Sequence, residues 1–403
     1  MEPRRVNRFG KFRQLGALAL AAVGPVFAGC PSDPVKSTCQ VETQEVTVAH
    51  QTVPPAMSLM LLPDARLDVV GDAFVLLGTD GSTVRWAVLG NDGVVVGDEQ
   101  SIAVPPHSAG PWFAVAGTAA PRDHVVVAFV PADAATVGSV ELMTLSVQID
   151  GTSPTLPVSS GQIPAGARVT MMSGRGGMNA GIAWARQGQT DILARIVGGS
   201  GLPAGQDLML GSVAGNFECL RFSPGKADLT LGYVDLSGTP SAIAFVGVEV
   251  DANRTARSPF RLSIGKEVPG CVELVSTDKG YGLAWHNAIG TYFSVFDPAS
   301  MQLASVLVAS NVRFPVEPRL GGLGWLGKTY AVVFARDQGA ETWPIDANGH
   351  TQGVLPVFPS KVGHTGSLST QPIGSALYAT YADYADSTAT SAGERLLVKV
   401  SCP

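Results

Sequence analysis

A loop near the C-terminus combines aromatic and acidic side chains. It alternates tyrosine and aspartate at Tyr381, Asp383, Tyr384 and Asp386. Tyrosine rings offer flat apolar faces for stacking, and carboxylates hold cations or hydroxyl groups, so the loop is a candidate site for a sugar or a cation. His286 directly follows Trp285 at the end of an apolar run and is the best-placed histidine. The alternative for all five residues is an ordinary solvated loop.

The residues that usually bind metals are dispersed along the chain. The six histidines and five cysteines form no His-x-x-x-His or Cys-x-x-Cys cluster, so we expect no sequence-local zinc site. No Gly-x-Ser-x-Gly elbow and no EF-hand loop occurs. We therefore predict no metal and no cofactor, and we assign no catalytic residue.

Aspartate recurs at one kind of position. It follows a strand-like run and begins a polar turn at Asp92, Asp150, Asp251, Asp297 and Asp346. Asx side chains accept hydrogen bonds from nearby backbone groups in turns. Repetition at equivalent places therefore favours turn formation, whereas catalysis would need one specialised pair.

Apolar runs that end in a large residue recur along the chain. The seven runs are 74–77, 125–129, 180–184, 229–233, 281–285, 330–334 and 376–381. Their last residues are 52, 55, 49, 52, 49 and 47 positions apart, and six of the seven are aromatic. Self-similarity near 50 residues indicates a propeller or a solenoid. The repeated aromatics are expected to pack between sheets; they are Phe129, Trp184, Tyr233, Trp285, Phe334 and Tyr381.

The order of segments within a unit is also steady. A second strand follows the aromatic residue and ends at an Asp, Asn or Gly turn, as at 84–89, 140–149, 242–250 and 341–345. Asx-Gly turns join antiparallel strands. A more polar third strand, such as 301–308, comes next, and a fourth precedes the following aromatic run. Four short antiparallel strands per repeat describe a propeller blade.

On these repeats the chain resembles the seven-bladed β-propellers over residues 40–402. We therefore predict an all-β fold with one propeller domain at 40–403, and a β-solenoid is the competing architecture. No family signature accompanies the resemblance, since no Trp-Asp dipeptide occurs and the Gly-Gly pairs fall at irregular places, unlike WD40 and kelch repeats.

A propeller must join its first and last blades or leave two sheet edges open. The last unit supplies three strands, near 366–369, 376–381 and 394–400, and the N-terminal strand 42–50 is free to complete that blade as its outer strand. Cys39 and Cys402 then flank the junction, and we predict a disulfide between them. Cys219 and Cys271 lie one repeat apart and form the second predicted pair. Other pairings, or free thiols, are the alternatives.

The N-terminus has the pattern of an export signal. Five basic residues within residues 1–14 precede a 14-residue apolar run, 15–28, which is shorter than a membrane-spanning helix. The stretch Phe27-Ala28-Gly29-Cys30 then resembles the lipobox of bacterial lipoproteins. The resemblance implies cleavage after residue 29, acylation of Cys30 and a short tether at 30–39. Pro31, where aspartate typically marks inner-membrane retention, points to the outer membrane. The alternative is a plain signal peptide.

The net charge of the chain limits the kinds of molecule that it is expected to bind. Without residues 1–29 the chain has 22 basic and 32 acidic residues, a net charge of −10. An acidic body disfavours nucleic acid. We expect a monomer that binds the membrane through Cys30 and serves as a binding or scaffolding module for a protein or carbohydrate in the cell envelope. The alternatives are a propeller-type glycoside hydrolase or lyase, with acids converging at the channel mouth, and a structural surface protein.

Overall fold

Seven four-stranded antiparallel sheets build the protein in a computed structural model. It describes residues 39–45, 65–70, 73–90, 93–116, 124–134, 137–174, 179–185, 191–212, 217–224, 229–236, 243–251, 253, 255–265, 272–287, 290–310, 319–336, 339–353, 355–359, 364–373, 375–384 and 393–402. All of these residues belong to one compact unit, Lys36–Pro403. The described part contains no helix that is long and apolar enough to cross a membrane.

Six blades take their four strands consecutively from the chain. Blade 1 contains β2 (Arg66–Val70), β3 (Ala73–Thr79), β4 (Thr83–Leu89) and β5 (Gln100–Ala103). Blade 2 contains β6 (His107–Ala116), β7 (His124–Pro131), β8 (Ser139–Gln148) and β9 (Val158–Pro164). Blade 3 contains β10 (Arg168–Ser173), β11 (Ala180–Ala185), β12 (Asp191–Val197) and β13 (Leu208–Ser212). Blade 4 contains β14 (Phe217–Pro224), β15 (Leu229–Asp235), β16 (Ile243–Val250) and β17 (Phe260–Gly265).

The remaining blades complete the set. Blade 5 contains β18 (Val272–Thr277), β19 (Gly280–His286), β20 (Gly290–Phe296) and β21 (Gln302–Ser310). Blade 6 contains β22 (Arg319–Trp325), β23 (Thr329–Arg336), β24 (Gly339–Asp346) and β25 (Leu355–Pro359). Blade 7 contains β26 (His364–Ile373), β27 (Ala376–Tyr384), β28 (Gly393–Ser401) and, as its outer strand, β1 (Gln40–Glu45).

The blades form a closed ring. The first strand of each blade contacts the first strand of the next, and β26 of blade 7 contacts β2 of blade 1. The fold is therefore a seven-bladed β-propeller, and the predicted fold class is confirmed. Each of the seven apolar runs found in the sequence lies on the second strand of a blade.

One hydrophobic core lies at each of the seven interfaces between blades. Successive side chains of a strand point to opposite faces, so the second strand serves two cores at once. In β3, Phe74 and Leu76 pack towards blade 7, whereas Val75 and Leu77 pack towards blade 2. Because both faces are covered, this strand is apolar throughout rather than alternating, and the repeated aromatics are all buried.

Blade 7 closes the ring as the sequence predicts. β1 pairs with β28 in antiparallel register, with Gln40 opposite Ser401, and the structure joins Cys39 to Cys402 by a disulfide just beyond this pair. The closing strand ends at Glu45, and residues 46–50 of the predicted segment lie outside the described residues.

Several predicted features lie outside the described part of the chain. These are the signal at 1–29, the tether up to residue 38, and Cys271. Cys219 lies on β14, but its side chain is also outside the described part. The second disulfide therefore stays a prediction.

We expect the combined change Cys39→Ser and Cys402→Ser to lower the free energy of unfolding by about 2–5 kcal/mol. The disulfide spans 363 residues and so restricts the unfolded chain. Urea unfolding of the oxidised protein measures the loss. A reductant should destabilise the wild type by that amount more than it destabilises the double variant, in which only the predicted Cys219–Cys271 pair could still be reduced. Equal losses on reduction in the two proteins would contradict a contribution of the Cys39–Cys402 disulfide.

Candidate functional site

The ring has two different ends because successive strands run in opposite directions. Turns between the third and fourth strands lie at one end, which we call the turn face. Turns between the second and third strands, and the connections from one blade to the next, lie at the other end, which we call the crossover face. Cys402 directly follows β28, the third strand of its blade, so the disulfide lies on the turn face.

The repeated aspartates form turns on the turn face, as predicted. In blade 6, Oδ1 of Asp346 accepts hydrogen bonds from the backbone N–H groups of Asn348 and His350, at 2.8 and 2.9 Å. Equivalent bonds join Asp150 to Thr152, Asp251 to Thr255 and Asp297 to Met301. Asp92 lies outside the described residues.

Two of these turns shift the pKa of their carboxyl group. Partial burial raises the pKa of Asp346, but the hydrogen bonds from His350 and Asn348 outweigh burial and leave the pKa below its ordinary value. Hydrogen bonds from the hydroxyl and the N–H of Thr152 likewise lower the pKa of Asp150. A carboxyl group with a lowered pKa is a poor proton donor near neutral pH, which suits a structural role.

A polar network links the innermost strands of four blades. Asp68 on β2 is 1% exposed and accepts a hydrogen bond of 2.8 Å from Oγ of Ser173 on β10. Oγ of Ser173 in turn accepts one of 2.8 Å from the backbone N–H of Val115 on β6. Gln371 on β26 donates to the carbonyl of Leu67 at 2.9 Å. Blades 7, 1, 2 and 3 are thereby joined at their inner edges.

Arg66 supplies the positive charge of this network. Its Nη2 lies 3.5 Å from Oδ2 of Asp68, and its guanidinium donates to the carbonyls of Met171 and Phe113. The guanidinium also lies 4.8 Å from the ring centre of Phe113. The buried carboxylate is thus hydrogen-bonded and paired with a cation, as a stable buried charge must be. The network connects blades, and its acid is fully engaged.

The predicted ligand residues lie on different blades. Nδ1 of His286, at the end of β19, is 3.2 Å from Oγ1 of Thr291 across the hairpin of blade 5. Tyr381 is fully buried in the core between blades 6 and 7, so it packs between blades. Asp383 and Tyr384 continue β27, but their side chains are outside the described part, as is the whole of Asp386. Blade 6 separates His286 from Tyr381.

An apolar cavity of about 420 Å³ opens beside blade 2. Its lining comes from the connection between blades 1 and 2, from the second-to-third-strand turn of blade 2, and from the adjoining strands. The lining residues are Pro105, Pro106, Phe129, Pro131, Ala132, Asp133, Met143 and Pro157. Cavities of this size and lining are typical of small-molecule sites.

Sequence reasoning missed both the network and the cavity. The network joins residues up to 304 positions apart, the cavity residues lie within 105–157, and neither set forms a local motif. The prolines of the cavity and the acid of the network do not occur at a spacing along the sequence that predicts a site. Among the residues that the structure describes, no group of three or more His, Cys, Asp or Glu side chains is arranged to hold a metal ion.

Comparisons with known proteins bear on the fold of the chain and not on its activity. No protein-family model matches the chain, and no curated protein matches it. Solved structures do match. The polysaccharide lyase Uly1 has a TM-score of 0.55 at 8% identity over 89% of this chain and 92% of that one. BBS1N, solved in complex with ARL6DN, has a TM-score of 0.48 at 12% identity over 92% of this chain and 98% of that one.

A prolyl endopeptidase structure gives a TM-score of 0.44 at 13% identity, and the match covers 82% of this chain but only 48% of the peptidase. The chain thus spans about half the length of that relative. The identity to Uly1 is low, so that likeness shows the propeller fold alone.

We expect Ser173→Ala to lower the free energy of unfolding by about 1–3 kcal/mol, because it leaves the N–H of Val115 and the carboxylate of Asp68 each short of a buried partner. Chemical unfolding measures the effect. Ser101→Ala on the exposed part of β5 is the matched control and should change stability by less than about 0.5 kcal/mol. Equal effects in the two variants would contradict the structural role of the network.

The turn aspartates predict a pH dependence of stability. A native pKa below the unfolded value means that the native state binds the proton more weakly, so Asp346 stabilises the fold above about pH 4 and the stabilisation is lost as the pH falls further. Asp346→Asn should therefore lose less stability than the wild type between pH 7 and pH 3, measured by urea unfolding. Asn348→Ser, which alters the same turn without changing charge, should follow the wild-type profile.

Proposed function

We propose that the chain is a lipid-anchored binding or scaffolding module of the bacterial cell envelope, held at the outer membrane through Cys30. The observation that supports this most is the Cys39–Cys402 disulfide, which begins nine residues after the lipobox cysteine. Structural disulfides persist in oxidising compartments, and the signal-like N-terminus leads to such a compartment.

The anchor that we propose attaches to the turn face of the propeller. Nine residues of chain reach at most about 30 Å, so a lipid on Cys30 keeps Cys39 within that distance of the membrane. The lining of the apolar cavity beside blade 2 includes Pro105 and Pro106 on the crossover face, so the attachment point does not lie at the cavity.

The acidic charge of the body is consistent with this arrangement. A net charge of −10 disfavours nucleic acid and direct adsorption to anionic lipid. Attachment then depends on the acyl chains, each buried CH₂ contributing about 0.8 kcal/mol. The ligand of such a monomeric module is a protein, a carbohydrate or a small molecule.

A propeller-type carbohydrate-active enzyme is the second candidate, since Uly1 has the same fold and is a polysaccharide lyase. Such an enzyme needs acids that converge with free lone pairs on one face, about 5–10 Å apart for a hydrolase. Asp68, a buried acid on an inner strand, is instead bound to Ser173 and Arg66. Depolymerisation of a polysaccharide by the purified chain would favour this candidate over a binding module.

We expect metabolic labelling with a palmitate analogue to label the wild-type chain and not the Cys30→Ser variant. The labelled chain should fractionate with the outer membrane. The Cys219→Ser variant serves as the matched control, because it removes a different cysteine and should keep the label. A mature wild-type protein without label would contradict the lipid anchor.

A further inference from the structure

The walls of the cavity beside blade 2 are fixed before any ligand arrives. The backbone N–H of Ala132 donates to the carbonyl of Pro106 at 3.0 Å, and Oγ of Ser108 donates to the carbonyl of Pro131 at 3.0 Å. These bonds tie the blade 1–2 connection to the end of β7. Proline also restricts its own backbone, so the lining loses little conformational entropy on binding.

The lining of the cavity is almost entirely apolar. Four proline rings, the Phe129 ring and the Met143 thioether line the space, which is open to solvent, and proline has no backbone N–H to offer. Thioether sulfur makes favourable contacts with aromatic rings. A flat aromatic group therefore satisfies this lining, whereas a sugar would lose hydrogen bonds to water without replacing them.

One charge accompanies the apolar lining. Asp133 is exposed and lines the cavity, so its carboxylate remains hydrated and accessible to a ligand. The body around it carries a net charge of −10 without residues 1–29. This charge favours a cation and disfavours an anion with the same ring.

From these contacts we infer that the cavity beside blade 2 binds an aromatic amine, its ring between the prolines and Met143 and its ammonium group beside Asp133. The inference rests on the proposed function of the propeller as a binding module and names the ligand class of that module. The volume of about 420 Å³ accommodates a ligand of the size of an indole with a short side chain.

Calorimetric titration of the purified full chain tests the inference with two probes that share one ring. Tryptamine carries an ammonium group and indole-3-propionate carries a carboxylate. We expect tryptamine to bind and the propionate to bind more weakly. Asp133→Asn should weaken tryptamine binding by about two- to fivefold and reduce the preference between the probes. Ala132→Trp, which fills the cavity while keeping the backbone N–H, should abolish binding of both.

Asp278→Asn is the matched control, because it removes an exposed acid from blade 5 and should leave both affinities unchanged. Thermal unfolding checks that each variant is folded, and Asp133→Asn still decides the outcome if Ala132→Trp does not fold. Failure of tryptamine to bind, equal affinity for both probes, or binding that neither variant weakens would overturn the inference. A lipidated chain that does not bind tryptamine would overturn it and leave the lipid-anchored module standing. Tryptamine binding by a chain that carries no lipid would support the inference and contradict the proposed lipid anchor.

Discussion

The constraint that governs this structure is that both faces of every sheet are apolar and must be covered. An isolated blade would expose its second strand, which is buried along its whole length in β11 and β15. Each blade therefore depends on two neighbours, and a row of blades would leave two faces open. Only a closed ring covers them all. The inner-strand contacts from β2 through to β26 and back to β2 satisfy that requirement.

Closure also places blades close enough that side-chain volume becomes limiting. A Cβ atom on Gly322 of β22 would overlap Oγ1 of Thr370 on β26, so glycine is needed where blades 6 and 7 approach. On the other side of blade 7, Phe74 and Tyr378 pack with ring centres 4.4 Å apart. Blade 7, which contains β1 and β28, is therefore packed closely against both of its neighbours.

Much of the fold could be predicted from the sequence because the signals are local. An apolar run recurs in all seven units and ends in an aromatic residue in six of them, and an aspartate turn follows one strand later in five; these signals set the blade boundaries. The closing strand followed from counting, since blade 7 has only three strands before the chain ends. The hydrogen bond from Ser173 to Asp68 and the proline-lined cavity could not be found this way. The hydrogen bond depends on the distance between two blades, and the cavity depends on how the blade 1–2 connection packs against blade 2; the spacing of residues along the chain encodes neither.

The two faces of the ring differ in their described features. On the turn face an Asx turn recurs in blades 2, 4, 5 and 6, and each time it satisfies nearby backbone N–H groups. On the crossover face the connection between blades 1 and 2 contributes residues to the apolar cavity beside blade 2. Binding residues are often carried by loops that a rigid scaffold positions.

Pairing β1 with β28 has a consequence for folding during synthesis. Gln40 lies opposite Ser401, so the ring cannot close before β28 has been synthesised. Contacts between residues so distant in sequence form slowly, and open sheet edges in the interim favour association with other chains. Ring closure is therefore a late step, which requires the strands of all seven blades.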